Sequence, residues 1–561
     1  MDYTDYPALA KIALGTEKAK LVLKNANIIN VFTEEIIAAD IAVEDGLIVG
    51  IGQYDGLSEV DLSGKTVTPG FIDAHLHLES TLVAPPELIY SALEWGTTTF
   101  IVDPHEAANV SGTDGIDYIL EQTEDVGANV FVMLPSCVPS AKGEDNGYEL
   151  TADKMRRYLG HPRVLGLGEV MDSSAVINGD KGMMDKLSLF SGHILDGHAP
   201  GLNEKQLAAY ALAGISTDHE GTEFEYIMKE RRNGMHILMR EGSAARNLHD
   251  ILSGIIKNNI DTSGFSFCTD DKHIDDIRRE GHISYMVKRS IELGLPVIKA
   301  LKMACYNTAR HYGLKRLGAI APGYQADMIV FDDLEKMSIN SVYHQGRQID
   351  FSKPVKHIKP PEKLFDTIHF EVPSPDKLQM AASTDTVPAI RVIPGQIVTK
   401  REDIILPCTN GLFAADKTVN KCIVVERHKS TGKIGVAPVL GFNIENGAIA
   451  SSVSHDSHNI IVIGDNDTDM LKALEEMKRL RGGYVLVSDG QVTGNLALPV
   501  MGLISDEGFA SVQEKLHTMI EKTHQMGIPK DIDPFVTLSF VALTAIPEIR
   551  ITTNGLWIFD A

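Results

Sequence analysis

Short runs of alternating apolar and polar residues fill positions 21–68, for example Ile41-Ala-Val43 and Leu47-Ile-Val49, with turn signals at Asp45-Gly46 and Asp55-Gly56 between them. Period-two alternation broken by such turns predicts a small β-sheet domain. The same texture returns at 326–331 and 341–346, so the two pieces are expected to close one composite sheet, 1–68 plus 313–351, around an insert. Within 69–312 the pattern changes: apolar strand-like runs alternate with amphipathic helical segments, the signature of a parallel sheet wound with helices. Candidate strands are 70–77, 98–105, 129–136, 163–169, 192–198, 215–219, 235–240 and 265–270. Eight strand–helix units in this length fit a barrel. The Pro- and Lys-rich stretch from 352 to about 365 reads as a linker or wrapping segment. A third unit follows over 366–561, with strands expected at 422–426 and 460–463 and a helix at 468–479. The predicted fold class is therefore α/β, a TIM-like (β/α)8 barrel with a flanking β-sandwich-like domain and a C-terminal α+β domain.

Composition narrows the function classes. With 43% hydrophobic and 23% charged residues, the chain has the balance of a soluble globular protein. A net charge of −24 opposes binding to a phosphate backbone or an anionic membrane, so a nucleic acid polymer and a membrane are excluded as partners. The cysteines at 137, 268, 305, 408 and 422 are odd in number and form no Cys-x-x-Cys pair, which predicts reduced thiols and a cytoplasmic protein. Positions 1–20 lack the apolar centre of a signal peptide, and no later apolar run has the length of a membrane helix.

The candidate chemistry lies where the barrel strands end, since such barrels carry their sites at the C-terminal mouth. Those ends offer His75, His77, His105, Glu169, His198, His219 and Asp270. Residues two apart on a strand share a face, so His75 and His77 can hold one metal together. A His-x-His pair alone is weak, because 20 histidines in 561 residues give about 0.7 such pairs by chance. Read singly, His198 is a hydrogen-bonded structural histidine, Glu169 a helix-initiating carboxylate and Asp270 an N-cap. The weight lies in the set, because buried imidazoles and carboxylates gathered in a barrel interior need compensation, and divalent metal ions supply it. Cys268 shares a face with Asp270 but reads as core packing. A cytidine-deaminase type of site is excluded: His77-Leu-Glu79 supplies its first half, but after Pro407-Cys408 the second cysteine position holds Gly411.

Pro69-Gly-Phe-Ile-Asp-Ala-His-Leu-His77 resembles the first-strand signature of the amidohydrolase superfamily, and Gly318-Ala-Ile-Ala-Pro-Gly-Tyr-Gln-Ala-Asp-Met-Ile-Val330 resembles its return into the outer sheet. Within that superfamily, 102–109, 168–171, 216–221, 268–272, 450–459 and 498–506 resemble the bacterial adenine deaminase family, so the resemblance spans nearly the whole chain. It departs from much of the superfamily in having no lysine at the end of the fourth strand, where Glu169 stands instead. What the resemblance implies is a metal-dependent hydrolase converting adenine to hypoxanthine and ammonia in purine salvage. Two divalent ions, Mn or Fe(II) with Zn also suited, would be held by His75, His77, Glu169, His198, His219 and Asp270 and would activate a water for attack at C6. Asp270 is the expected proton acceptor, and Glu106 and Glu220 are candidates to protonate a ring nitrogen. His105, Asp271, His455 and His458 are expected to touch substrate or brace the ligands, the last two through a polar loop, 454–459. A homo-oligomer, by default a dimer, is expected. The rival readings are another amidohydrolase, such as a cyclic-amide hydrolase or a deacetylase, and a non-catalytic barrel acting as a binding module.

Overall fold

In a computed structural model describing residues 5–141, 143–243 and 245–558, eight parallel strands form the centre of the chain: Phe71–Leu76, Thr97–Val102, Asn129–Leu134, Val164–Val170, Ile194–Gly197, Thr217–Asp218, His236–Arg240 and Phe265–Cys268. The first five make one sheet in sequence order and the last three another. The amide of Ser216 donates to the carbonyl of Leu195 at 2.9 Å, and Leu76 bridges Asp270 in parallel, so both seams close and a barrel results. A buried carboxylate fastens the second seam, since Asp73 Oδ1 accepts the amides of His75 at 3.3 Å and Thr269 at 3.1 Å.

Two expected strands end earlier than their apolar patterns suggested. The second stops at Val102, because Pro104 has no N–H to continue the ladder, and His105 opens the helix His105–Ser111 instead of closing a strand. The sixth is reduced to Thr217–Asp218, directly before His219.

Outside the barrel, Met328–Asp333 pairs antiparallel with Thr66–Pro69, which pairs parallel with Ala19–Asn30. Segments from either side of the barrel thus share one eight-stranded sheet. Residues 352–365 lie along barrel helices: Tyr90 donates to the carbonyl of Lys353 at 3.0 Å, Gln122 to that of Ile358 at 2.7 Å, and Lys363 pairs with Asp114 at 2.6 Å.

The C-terminal unit is a second eight-stranded sheet, and the period-two alternation of its strands explains where it sits. Ile423, Val425, Val462, Val485 and Val487 pack on Met470, Leu474 and Met477 of the helix Asp467–Leu480. The intervening Cys422, Val424, Ile461, Ile463 and Leu486 join the core that contains Val102 and Leu134 of the barrel. Both faces are buried, and the sheet is fixed against the barrel with the loop after Gly447–Ser451 at its mouth. Among the described residues, no helix is long and apolar enough to cross a membrane.

Candidate active site

Glu169 organises the mouth. Its Oε1 lies 3.3 Å from His77 Nε2 and 3.2 Å from His105 Nδ1, and its Oε2 lies 2.9 Å from His198 Nδ1 and 3.4 Å from His219 Nε2. The backbone before it is built for this: a Cβ on Gly168 would stand 2.1 Å from Asp103 Oδ2, and without one that carboxylate reaches the Glu169 amide at 2.9 Å. Asp270 follows the eighth strand and places Oδ1 3.0 Å from His77 Nε2 and 3.7 Å from His75 Nε2. His77 has its other nitrogen against the carbonyl of Asp103 at 2.8 Å, a partner that fixes the ring and leaves Nε2 for a ligand. All six expected ligands are buried and come together here. Neither capping alternative holds, since Asp172 caps the helix after Glu169 and the helix Ile274–Glu280 takes no cap from Asp270. Cys268 packs with Ile72, Ile101 and Leu238, as expected of a core residue.

The charge pattern favours cations. Burial pushes Glu169 up, but hydrogen bonds from His105, His198, His219 and His77 hold it well below the usual carboxylate range. Burial likewise opposes ionisation of Asp270, yet Arg240 and His77 keep it well below that range. His77 resists desolvation through Asp270 and Glu169 and stays well above an ordinary imidazole, and Glu169 does the same for His219, raised to about 9. Burial and His219 instead drive His75 well below. A buried donor atom without a hydrogen-bond partner is the second sign: His75 Nε2, which lies 3.7 Å from both Glu169 Oε1 and Asp270 Oδ1. The donor atoms of His75, His77 and Glu169 form one group within 4.8 Å, and those of Glu169, His198 and His219 another. A nitrogen and oxygen set in two groups sharing one carboxylate fits two divalent ions.

Facing these ligands is a second polar surface. Glu106 Oε1 accepts from Ser80 Oγ at 2.9 Å and lies 3.3 Å from His455 Nδ1, while His455 Nε2 lies 3.8 Å from Asp271. Asp456 Oδ1 is 3.8 Å from His105 Nε2. Burial, then the charges of Asp271 and Glu79, push Glu106 well above the usual carboxylate range, and burial with Glu144 and Glu169 does the same to Asp456. Neither Glu106 nor His458 lines the cavity: Glu106 stands behind His455, and His458 Nδ1 accepts the amide of Ser454 at 3.2 Å and braces the loop that delivers His455.

Glu220 behaves differently from its expected role. Arg240 holds both its oxygens, Nη2 at 3.2 Å from Oε2, and reaches Asp270 Oδ2 at 2.6 Å through Nη1. Burial is outweighed by that guanidinium, and Glu220 stays below the ordinary range, without a proton to give. Arg240, Asp103 and Asp456 were missed by sequence reasoning. Arg240 alone had a usable signal, as the last residue of the seventh strand. The cavity between the two surfaces measures about 20 Å³ and is closed by Met171, Phe540, Leu543 and Ile546. That is room for about one water. A larger cleft of about 1220 Å³ has Ser136, Cys137, Asp172 and Lys186 in its wall.

Two segments of the chain match known families. Residues 66–349 match the amidohydrolase family, and residues 396–561 match the adenine deaminase C-terminal domain. A protein of Desulfitobacterium hafniense named adenine deaminase is 58% identical over 99% of this chain and 98% of its own. Adenine deaminase 2 of Carboxydothermus hydrogenoformans is 43% identical, covering 98% of this chain and 97% of its own, and an adenine deaminase of Clostridium acetobutylicum is 44% identical, covering 97% of each.

Proposed function

The chain belongs to the adenine deaminase family of amidohydrolases, and on that premise we propose that it hydrolyses adenine to hypoxanthine and ammonia between the two polar surfaces of the barrel mouth. The observation that carries this reading is Glu169 facing five imidazoles, three at Oε1 and two at Oε2. His75, His77, Glu169 and Asp270 would hold one divalent ion, and Glu169, His198 and His219 the other. The donors suit Mn, Fe(II) and Zn, and we assign Mn or Fe(II). When bound, the ions supply Lewis acidity and activate water near neutral pH.

The remaining work falls to the chain. Asp270, kept ionised by Arg240, is the proton acceptor for the attacking water and passes that proton toward the departing amine. Glu106, kept protonated by burial and by Asp271 and set behind His455, is the proton source for a ring nitrogen, and Glu220 has no part in that step. His105, Asp271, His455 and Asp456 complete the surface against the base. Phe540, Leu543 and Ile546 close the cavity against water, and this wall must shift to admit the substrate, which we take to be the free base from the names of the relatives. We also propose a cytoplasmic location, supported by five cysteines that are all free, and a homodimer, which light scattering of the purified chain would test. The test of function is ammonia release by metal-replete protein offered adenine, adenosine, guanine and cyclic amides. Adenine is expected to turn over fastest; equal or faster turnover of adenosine, or turnover of cyclic amides alone, contradicts the reading.

A further inference from the structure

Cys137 follows the third barrel strand and is buried, with an apolar wall of Met171, Ile397, Phe540 and Leu543 on one side. Its polar neighbours are His105 and Asp456, and one donor atom from each of the three lies within 4.8 Å of the other two. Two of those side chains are short of partners: His105 Nε2 has no hydrogen bond, and neither has Asp456 Oδ2, although both residues are almost wholly buried. Buried polar atoms left unmatched cost free energy unless something satisfies them. Glu106 and His455 do not fill the need, since they are engaged with each other and with Ser80 and Asp271. The three donors are a thiol, an imidazole and a carboxylate, arriving from the barrel, the helix His105–Ser111 and the C-terminal unit.

We propose that Cys137, His105 and Asp456 form a separate site for one thiophilic divalent cation such as zinc or cadmium, whose occupation inhibits the enzyme. The sulfur is what distinguishes it from the Glu169 groups, which contain only nitrogen and oxygen, because thiolate ligands favour softer ions over Mn. Binding forms a sulfur–cation bond and releases the Cys137 proton to solvent. Cys137 also borders the large outer cleft, but it is only 2% exposed, so a cation enters from that side only as the wall moves. Occupation withdraws His105 and Asp456 from the surface that faces the base, and it ties the C-terminal unit to the barrel. The site stands on its own geometry; only its effect on turnover rests on the function proposed above.

The probe is cadmium, added stepwise to the Mn-loaded full chain carrying Cys408→Ser, which removes the exposed thiol. The ultraviolet absorption of a cadmium–thiolate bond, the manganese retained after desalting, and turnover are read together. The absorption is expected to saturate at one cadmium per chain with manganese retained, while turnover falls about 10- to 100-fold. Adding Cys137→Ser should abolish the absorption and leave turnover intact through the same additions, and Asp456→Asn should keep the absorption but weaken binding. Absence of the absorption, its persistence without Cys137, or its growth only as manganese is lost overturns the proposal. Inhibition without absorption also overturns it, because cadmium then acts at the Glu169 groups. A starting protein that holds other than two manganese ions points instead to a failure of the dinuclear reading, and the absorption still decides the cysteine site.

Discussion

Glu169 and Glu106 are the same side chain, both wholly buried, one lining the cavity at the mouth and the other behind His455, and they are driven in opposite directions. Glu169 receives imidazoles on both oxygens and is held ionised, whereas Glu106 has Asp271 and Glu79 for neighbours and is held protonated. Desolvation is common to both and cannot separate them; the sign of the surrounding charge does. The difference divides the mouth into a half built on strand ends, where carboxylates are held ionised among imidazoles, and a half assembled from a helix start and the C-terminal loop, where a carboxylic acid is held protonated. Two acid–base environments set side by side are what a deamination needs, since one group must take a proton and another give one.

The largest effect should come from breaking the first half. Glu169→Gln is expected to lower turnover of adenine by about 10³-fold or more, because both ligand groups lose their shared carboxylate. Breaking the second half should leave the ligands alone: Glu106→Gln is expected to cost about 10²–10⁴-fold in kcat. Near-normal kcat in that variant would remove Glu106 as the donor. Arg240→Met sits on the seam, freeing Asp270 Oδ2 and Glu220 together, and is expected to cost about 10–100-fold with some loss of bound metal. If its kinetics are unchanged while only thermal stability falls, Arg240 merely fills space.

A third buried glutamate sharpens the comparison because it lies away from the mouth. Glu230, on the helix Phe224–Arg232, is pushed up to about 11 by burial and by Asp218, with no cation and no reaction to serve. Its folded value exceeds its unfolded one, so above about pH 4.5 the unfolded chain binds fewer protons and stability falls as pH rises. Glu230→Gln is therefore expected to stabilise, by up to about 3 kcal/mol at pH 7 less the cost of burying an amide, and by little near pH 4.5. The check is the difference in unfolding temperature between variant and parent from about pH 5 to about pH 8. A gain that does not grow with pH would show that Glu230 is ionised in the folded chain.

The two halves also differ in how far they could be read from the residues. His75, His77, Glu169, His198, His219 and Asp270 were legible because strand periodicity and the rule that barrel strands end at the site locate them with no knowledge of packing. Asp456 was invisible, although its loop stood out for its density of polar groups, since nothing periodic in a loop says which side chain points inward. The same limit explains why His455 reaches Glu106 while His458 turns back to the Ser454 amide. His105 was expected at a strand end because the apolar run before it continued to Val102, and the proline at 104 decided otherwise. Arg240 lay in plain view at a strand end, but a cation among metal ligands makes sense only once two carboxylates are seen to share it.

The most direct measurement is divalent metal per chain, by elemental analysis, in the parent, Glu169→Gln and Glu106→Gln proteins prepared alike. The division of the mouth requires about two ions in the parent and in Glu106→Gln, with fewer than two in Glu169→Gln. One ion in a fully active parent, or loss of metal from Glu106→Gln equal to that from Glu169→Gln, would contradict it.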